Sequence, residues 1–275
     1  MKTLLALICI LISNLSHADN QTHSSCPDKN FIAVKANSAN SEYPAPTLDA
    51  SCTTEFLVVK SNGIINFEFK QKTPHDLQLQ DYTWKIPLLT REAVVKKRVP
   101  LVGSIAITVT GLPIFSPNEA PHHGFRDPYV DQLLDYCGGH TAMRGVYHFH
   151  RRPECLYNQQ KPVGLVLGYA FDGYPILAPW ECADASCSSV YKVKSSWVHQ
   201  GGSTNAWIAN KYQQGTGDLD ECNGMTRPDG SYAYYATDGF PYLLACYHGV
   251  AKTQTSPHKR QFKHRPPRPF KGFRP

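Results

Sequence analysis

Past its first fifteen residues the chain has no apolar run approaching the roughly 20 residues that a membrane-spanning helix needs. No transmembrane segment is therefore expected. None of its nine cysteines forms a C-x-x-C pair, which argues against a cysteine-ligated zinc site. No stretch resembling a flexible linker interrupts residues 26 to 251, so the reading is one domain rather than two. Acid is missing altogether from Lys252 to Pro275, a segment with eight Lys or Arg. Those eight charges and Lys2 outweigh the total of +6, so the rest of the chain is mildly acidic, at −3. The protein is not a basic domain and is not expected to be a specific reader of nucleic acid. No feature of the sequence sets an oligomeric state.

The N-terminus reads as a secretory signal. Lys2 gives the positive start, Leu4 to Leu15 the apolar stretch, and Ser16-His17-Ala18 a small-x-small cleavage site. The expectation is a signal peptide over 1–18, a domain over 19–251 and a tail over 252–275, in a secreted or periplasmic protein. Cys9 leaves with the signal, and the eight remaining cysteines fit disulfides in an oxidising compartment. Two pairs are expected from proximity, Cys182 with Cys187 and Cys137 with Cys155. The tail, ending RPPRPFKGFRP, is rich in proline and base and is expected to be disordered. Its charge suits an anionic surface, such as lipid headgroups or lipopolysaccharide; a purely solubilising tail is the alternative.

Strand signals dominate the body. EFLVVKSNGIINFEF reads as a hairpin around Asn62-Gly63. VGSIAITVTGLPIF reads as a strand through Thr108, a turn at Gly111 and a short extended piece that Pro113 should keep at an edge or in a loop. VGLVLGYAFDGYPIL and SYAYYATDGFPYLLAC each place an Asp-Gly turn between apolar runs. The two turns resemble each other, so Asp172 and Asp238 are either twice-used turn chemistry or lining for a common site. Asp127, Pro128, Val130, Leu133 and Leu134 mark a helix over 128–136, ended by Gly138-Gly139. The expected fold is mainly β, antiparallel and sandwich- or barrel-like, with one or two short helices and disulfides.

The chemistry gathers in CGGHTAMRGVYHFHRRPEC. Strand alternation sends Tyr147 and Phe149 to one face and His148 and His150 to the other. His140 lies eight residues before His148, across a turn containing Gly145. Chain reversal there would bring three imidazoles together, a set that suits zinc or copper. Asp135 could receive a ring N–H from one ligand and fix its tautomer. His122 and His123 are the next candidates. The bland alternative is polar residues on a wet strand surface.

The order of motifs resembles the secreted YHYH-domain proteins. Tyr147-His148-Phe149-His150 matches the naming motif with Phe in third place. YTWKIP (82–87), GLPIFSPNEA (111–120) and RDPYVDQLLDYCGGH (126–140) resemble the approach to it. LGYAFDGYPIL (167–177), LDECNG (219–224) and YATDGFPYLLACYHG (235–249) resemble the segments on its C-terminal side. The resemblance implies an exported, disulfide-bonded, β-rich domain and names no reaction. It carries over Asp135, Cys137, Gly139, His140, His148 and His150. Some relatives repeat a Tyr-His-Tyr pattern later; here that place is Tyr232-Ala233-Tyr234-Tyr235, without histidine.

Three functions stay open on these grounds. One is a metal-binding carrier or sensor. Another is a metal-dependent hydrolase using metal-bound water, with Asp172, Asp220, Glu221 or Asp238 as acid/base partner. The third is a cell-surface or glycan-binding adhesion module built on the aromatic turns. Whether the protein is an enzyme is not decided by sequence.

Overall fold

The computed structural model describes residues 26–156, 162–184 and 186–254. The signal segment over 1–18 and all of the tail beyond Gln254 lie outside the described residues.

Three strands, β1 (Leu48–Cys52), β2 (Phe56–Ser61) and β3 (Tyr82–Pro87), form an antiparallel sheet in sequence order. After them come β4 (Glu92–Arg98), β5 (Ser104–Thr108), β6 (Pro113–Phe115), β7 (Gly139–Ala142), β8 (Val146–Phe149), β9 (Val166–Ala170) and β10 (Pro175–Leu177). Next are two small hairpins, β11 (Trp180–Cys182) with β12 (Val190–Lys192), and β13 (Trp197–His199) with β14 (Asn210–Tyr212). The chain ends through β15 (Gly224–Thr226), β16 (Tyr232–Tyr235) and β17 (Cys246–Gly249), the last pairing with β4. Eight of these strands make one sheet in the order β15-β16-β10-β9-β5-β6-β8-β7. Its ladders are antiparallel except at β6/β8 and β10/β16, which are parallel. The fold is mainly β, as expected.

The two large sheets share one core. On β2 and β3 alternate residues point inward: Leu57 and Val59, then Tyr82, Trp84 and Ile86. They meet Ile105, Ile107, Leu112 and Ile114 of the larger sheet. Trp84 stacks on Phe171 and donates its indole N–H to the Gly111 carbonyl at 3.1 Å. Strand β5 is buried along Ile105-Ala106-Ile107-Thr108, so it carries a continuous run rather than an alternating one. Four disulfides tie the loops: Cys26–Cys52, Cys137–Cys155, Cys182–Cys187 and Cys222–Cys246. The two pairs expected from proximity are among them.

Three local expectations are corrected. Segment 128–136 is not a helix. Asp127 does cap a first turn through the Tyr129 and Val130 N–H groups, but Gln132 adopts φ 58° and the chain turns out. The Leu133 carbonyl, which a continuing helix would have used, is thereby released to the His140 ring. The one α-helix among the described residues is Ala206–Ala209, capped by the Asn205 side chain. The Asn62-Gly63 turn does not close a hairpin, because β2 is already flanked by β1 and β3. The Asn62 amide instead bonds Thr47 N and Ala45 O, and Ile64, Ile65 and Phe67 enter the core without strand pairing. Pro113 begins an interior strand, not an edge; as the first residue of β6, it has little ladder to break. The Asp238-Gly239 turn joins β16 to β17, which belong to different sheets.

The middle of the large sheet is the β5/β9 pair, where Gly168 lies against Thr108 in register. A methyl at Gly168 would collide with the Ile107 carbonyl oxygen. Gly168→Ala is expected to lower stability by about 1–3 kcal/mol, as overpacking does. Urea unfolding, read by tryptophan fluorescence, measures it; an unchanged midpoint would contradict a tight seam.

Candidate metal centre

Strands β7 and β8 form an antiparallel pair in which His140 lies directly opposite His148. His150 is two residues further along the chain, on the same face as His148. The opposite face presents Tyr147 and Phe149 to Phe67 in the core. This split is the one strand alternation dictates.

The corner leading into β7 is fixed by Asp135. One carboxylate oxygen accepts the N–H groups of Cys137 (2.9 Å) and Gly139 (3.2 Å), and the other accepts the Tyr147 hydroxyl at 2.8 Å. Burial raises the Asp135 carboxyl, against the pull of those donors. Gly138 takes φ 91°, and Gly139 lies so close to the Tyr147 hydroxyl that no side chain fits. The Cys137–Cys155 disulfide closes the same corner. Asp135 therefore positions the strands rather than a ring.

Backbone carbonyls take the role sequence reasoning offered to Asp135. The Nδ1 atoms of His140, His148 and His150 face the carbonyl oxygens of Leu133 (3.1 Å), Val146 (3.1 Å) and Ser116 (2.6 Å). A carbonyl only accepts, so each Nδ1 carries the proton and each Nε2 is left with a lone pair. The three Nε2 atoms converge: His140 to His148 is 3.1 Å and His148 to His150 is 2.8 Å. All three lie within 4.8 Å of one another. Nitrogens about 2.05 Å from one ion stand about 2.9–3.4 Å apart for bond angles of 90–110°. The His140–His148 spacing of 3.1 Å lies within that range and the His148–His150 spacing of 2.8 Å just below it.

The pocket is dry. His140, His148 and His150 are 4%, 2% and 3% exposed, which excludes the wet-surface reading. Phe115 stacks on His148 with ring centroids 4.0 Å apart. Burial lowers His140 to about 4 and His150 to about 3, and drives His148 well down with help from its two neighbours. Burial thus opposes protonation of the Nε2 lone pairs.

A fourth group was missed by sequence reasoning. Glu119 Oε1 lies 3.3 Å from His140 Nε2 and 3.8 Å from His150 Nε2. That oxygen is buried and has no hydrogen-bond donor. Burial raises the Glu119 carboxyl, Asp131 adds to the rise and His122 opposes it. No spacing rule links a residue 21 positions before His140 to the cluster; the β6/β8 pairing does.

The other candidates fall elsewhere. His122 and His123 are exposed on a 3-10 turn, Pro121–His123, with their rings 4.2 Å apart. They sit beside Glu119 in the chain and outside the triad. Asp172 is fully buried and accepts from the Tyr234 hydroxyl (2.5 Å) and Gly249 N–H (2.9 Å). Asp238 pairs with Arg152 and Lys192 at the surface. The two turns share no partner. A second group, Glu221 with Cys222 and Cys246, offers no thiolate because its sulfurs are bonded to each other.

A disulfide-tied β fold with a buried triad of histidines defines the class. Within it the chain belongs to the YHYH protein family, whose model matches residues 83–249. No curated protein and no solved structure matches it.

The Asp135 corner yields a prediction. Tyr147→Phe removes the hydroxyl donor and leaves a buried carboxylate oxygen unpaired, at a cost of about 1.5–3 kcal/mol. Chemical denaturation of metal-free protein measures it, and a change under about 0.5 kcal/mol would remove the corner from the stability argument.

Proposed function

We propose that this is an exported metal-binding protein that holds one transition-metal ion, zinc or copper, on His140, His148 and His150. One observation carries the reading: three carbonyl-fixed imidazoles aim bare nitrogen lone pairs at one buried point. Nothing among them can donate a hydrogen bond, so the arrangement is repulsive until a cation sits between them. Three imidazoles are a donor set for zinc, and imidazole also suits copper. A bound ion would supply charge compensation and rigidity here. The chain's own residues orient the rings, exclude water and keep the nitrogens deprotonated.

The rival readings have less support. Of the four carboxylates sequence reasoning offered a hydrolase, three are held by other partners: Asp172 by Tyr234 and Gly249, Asp238 by Arg152 and Lys192, and Asp220 by the Tyr232 hydroxyl. The fourth, Glu221, is exposed beside the Cys222–Cys246 disulfide. Among the described carboxylates Glu119 is the one beside the triad. The aromatic turns that would serve adhesion are largely internal: Phe171, Phe240 and Tyr242 are buried. Export fits the four disulfides, which belong to an oxidising compartment.

Tag-free protein is expected to bind one equivalent of zinc or copper by elemental analysis. His148→Ala is expected to bind none. Metal at about 100 times Kd should stabilise the wild type by about 2.7 kcal/mol, and His148→Ala should show no metal-dependent shift in Tm. Equal shifts in both proteins would sink the proposal.

The tail is proposed as a contact for anionic lipid or lipopolysaccharide, on the strength of its eight bases and absent acids. Lys252 N–H bonds the Phe171 carbonyl, and the Gln254 side chain bonds both backbone groups of Lys85. Truncation should therefore begin at 255. It is expected to leave Tm unchanged and to weaken sedimentation with anionic vesicles at low salt; equal binding by both forms would assign the tail to solubility instead.

A further inference from the structure

The large sheet reads the same from either end. About its centre, Ile107 pairs with Tyr169, Ala106 with Ala170 and Thr108 with Gly168. Outward on one side run β5-β6-β8-β7 and on the other β9-β10-β16-β15. Each arm has one parallel step, Ile114 to Phe149 and Ile176 to Tyr234. Each ends in one antiparallel pair, with Gly139 on Phe149 and Gly224 on Tyr234.

The sequences of the arms repeat in the same order. Gly111-Leu112-Pro113-Ile114-Phe115-Ser116-Pro117-Asn118-Glu119 matches Gly173-Tyr174-Pro175-Ile176-Leu177-Ala178-Pro179-Trp180-Glu181 at both glycines, four prolines, both isoleucines and both glutamates. Asp135, Cys137, Gly139, Thr141, Gly145 and Tyr147 recur without a gap as Asp220, Cys222, Gly224, Thr226, Gly230 and Tyr232. The contacts recur too. Asp220 accepts from Cys222 N (2.9 Å), Gly224 N (3.1 Å) and the Tyr232 hydroxyl (3.0 Å), as Asp135 does from its own set. Both Cys137 and Cys222 are in disulfides.

In this alignment His140, His148 and His150 correspond to Met225, Ala233 and Tyr235, so the second arm has no imidazole at any of the three places. Its glutamate remains. Glu181 is 1% exposed and bound to a cation, with Arg227 Nε at 2.8 Å from Oε2 and Nη2 at 3.5 Å from Oε1. Tyr235, in the place of His150, donates its hydroxyl to the same carboxylate at 2.5 Å. Arg227 falls where the first arm has Ala142, which brings no charge. One arm thus keeps the glutamate with a built-in cation, and the other keeps it with an orphaned oxygen facing the His140 and His150 lone pairs.

From this equivalence we infer that the sheet is a duplicated unit and that Glu119 is the fourth ligand of the ion in its first copy, the position Glu181 gives to Arg227 in the second. The inference rests on the metal-binding proposal and makes the site closed, three nitrogens and one oxygen, rather than one with an open position for water.

The test uses the full mature chain. Zinc affinity is measured by competition with a chromophoric chelator for wild type, Glu119→Gln, Glu119→Ala and His148→Ala. Circular dichroism checks the fold of each, and cobalt absorption reports the ligand set. Wild type is expected to take one equivalent, with both Glu119 variants about tenfold weaker or worse and with altered cobalt spectra. Wild-type affinity and an unchanged cobalt spectrum in Glu119→Gln and Glu119→Ala would overturn the ligand assignment while leaving the triad reading intact. Failure of the wild type to bind either zinc or copper would overturn both. Two equivalents in the wild type would overturn the account of the second copy.

Discussion

Three hydrogen bonds from imidazole N–H to backbone carbonyl decide what this molecule can do. Without them the histidines could choose tautomers, pair among themselves and settle as ordinary buried polar residues. With all three Nδ1 atoms committed to Leu133, Val146 and Ser116, the Nε2 atoms have only lone pairs to offer. Those carbonyls come from three places: the turn that replaces a helix, the start of β8, and the end of β6. Each depends on a feature elsewhere, namely Gln132 at φ 58°, the β7/β8 ladder, and the parallel placement of β6 beside β8. The site is thus a property of the sheet, not of the short motif that signals it.

The two arms separate scaffold from chemistry. The Asp–Cys–Gly–Tyr corner is present in both, with the same bonds, although only one arm has histidines. Its role is to shape a tight entry into an edge hairpin. What differs is how a buried carboxylate is neutralised. An unpaired buried charge is expensive, and one arm meets that cost with Arg227 and the Tyr235 hydroxyl. Without an ion the other arm has neither, which is why Glu119 stands out as unsatisfied.

Much of the site was legible in sequence, and the reason is period. Alternation in a strand fixes which side His148 and His150 share with no knowledge of partners, and His140 joins them once Gly145 reverses the chain. Short-range disulfides were legible for the same reason: Cys182 and Cys187 have few places to go. What sequence hid was every contact made by pairing between distant strands. Glu119 reaches the triad only because β6 lies parallel to β8, and a parallel step leaves no turn signature. The expected helix failed because capping at Asp127 is local, whereas the claim of His140 on the Leu133 carbonyl is not. The likeness of Asp172-Gly173 and Asp238-Gly239 was visible, and of its two readings the separate partners of the two turns favour turn chemistry. Turn chemistry repeats cheaply, while the informative repeat ran through Asp135 and Asp220, where the residues between differ most.

The burial of the centre bears on how an ion would arrive. Glu119 is the most exposed member at 14%, and its segment is firmly held. Its N–H bonds the Arg126 carbonyl at 2.7 Å; next to it, Asn118 bonds the Leu101 and Glu119 carbonyls and accepts the Trp207 indole N–H at 2.6 Å. Nothing in that set is a loose flap. A ligand set closed by strands, a stacked Phe115 and a pinned loop favours loading as the chain folds over exchange with the folded protein. Binding energy then becomes folding energy, as it does wherever the apo site is strained by its own lone pairs. In the proposed site the same geometry would favour retention over turnover, because a substrate would have to pass Phe115 or move Glu119 to reach a bound ion.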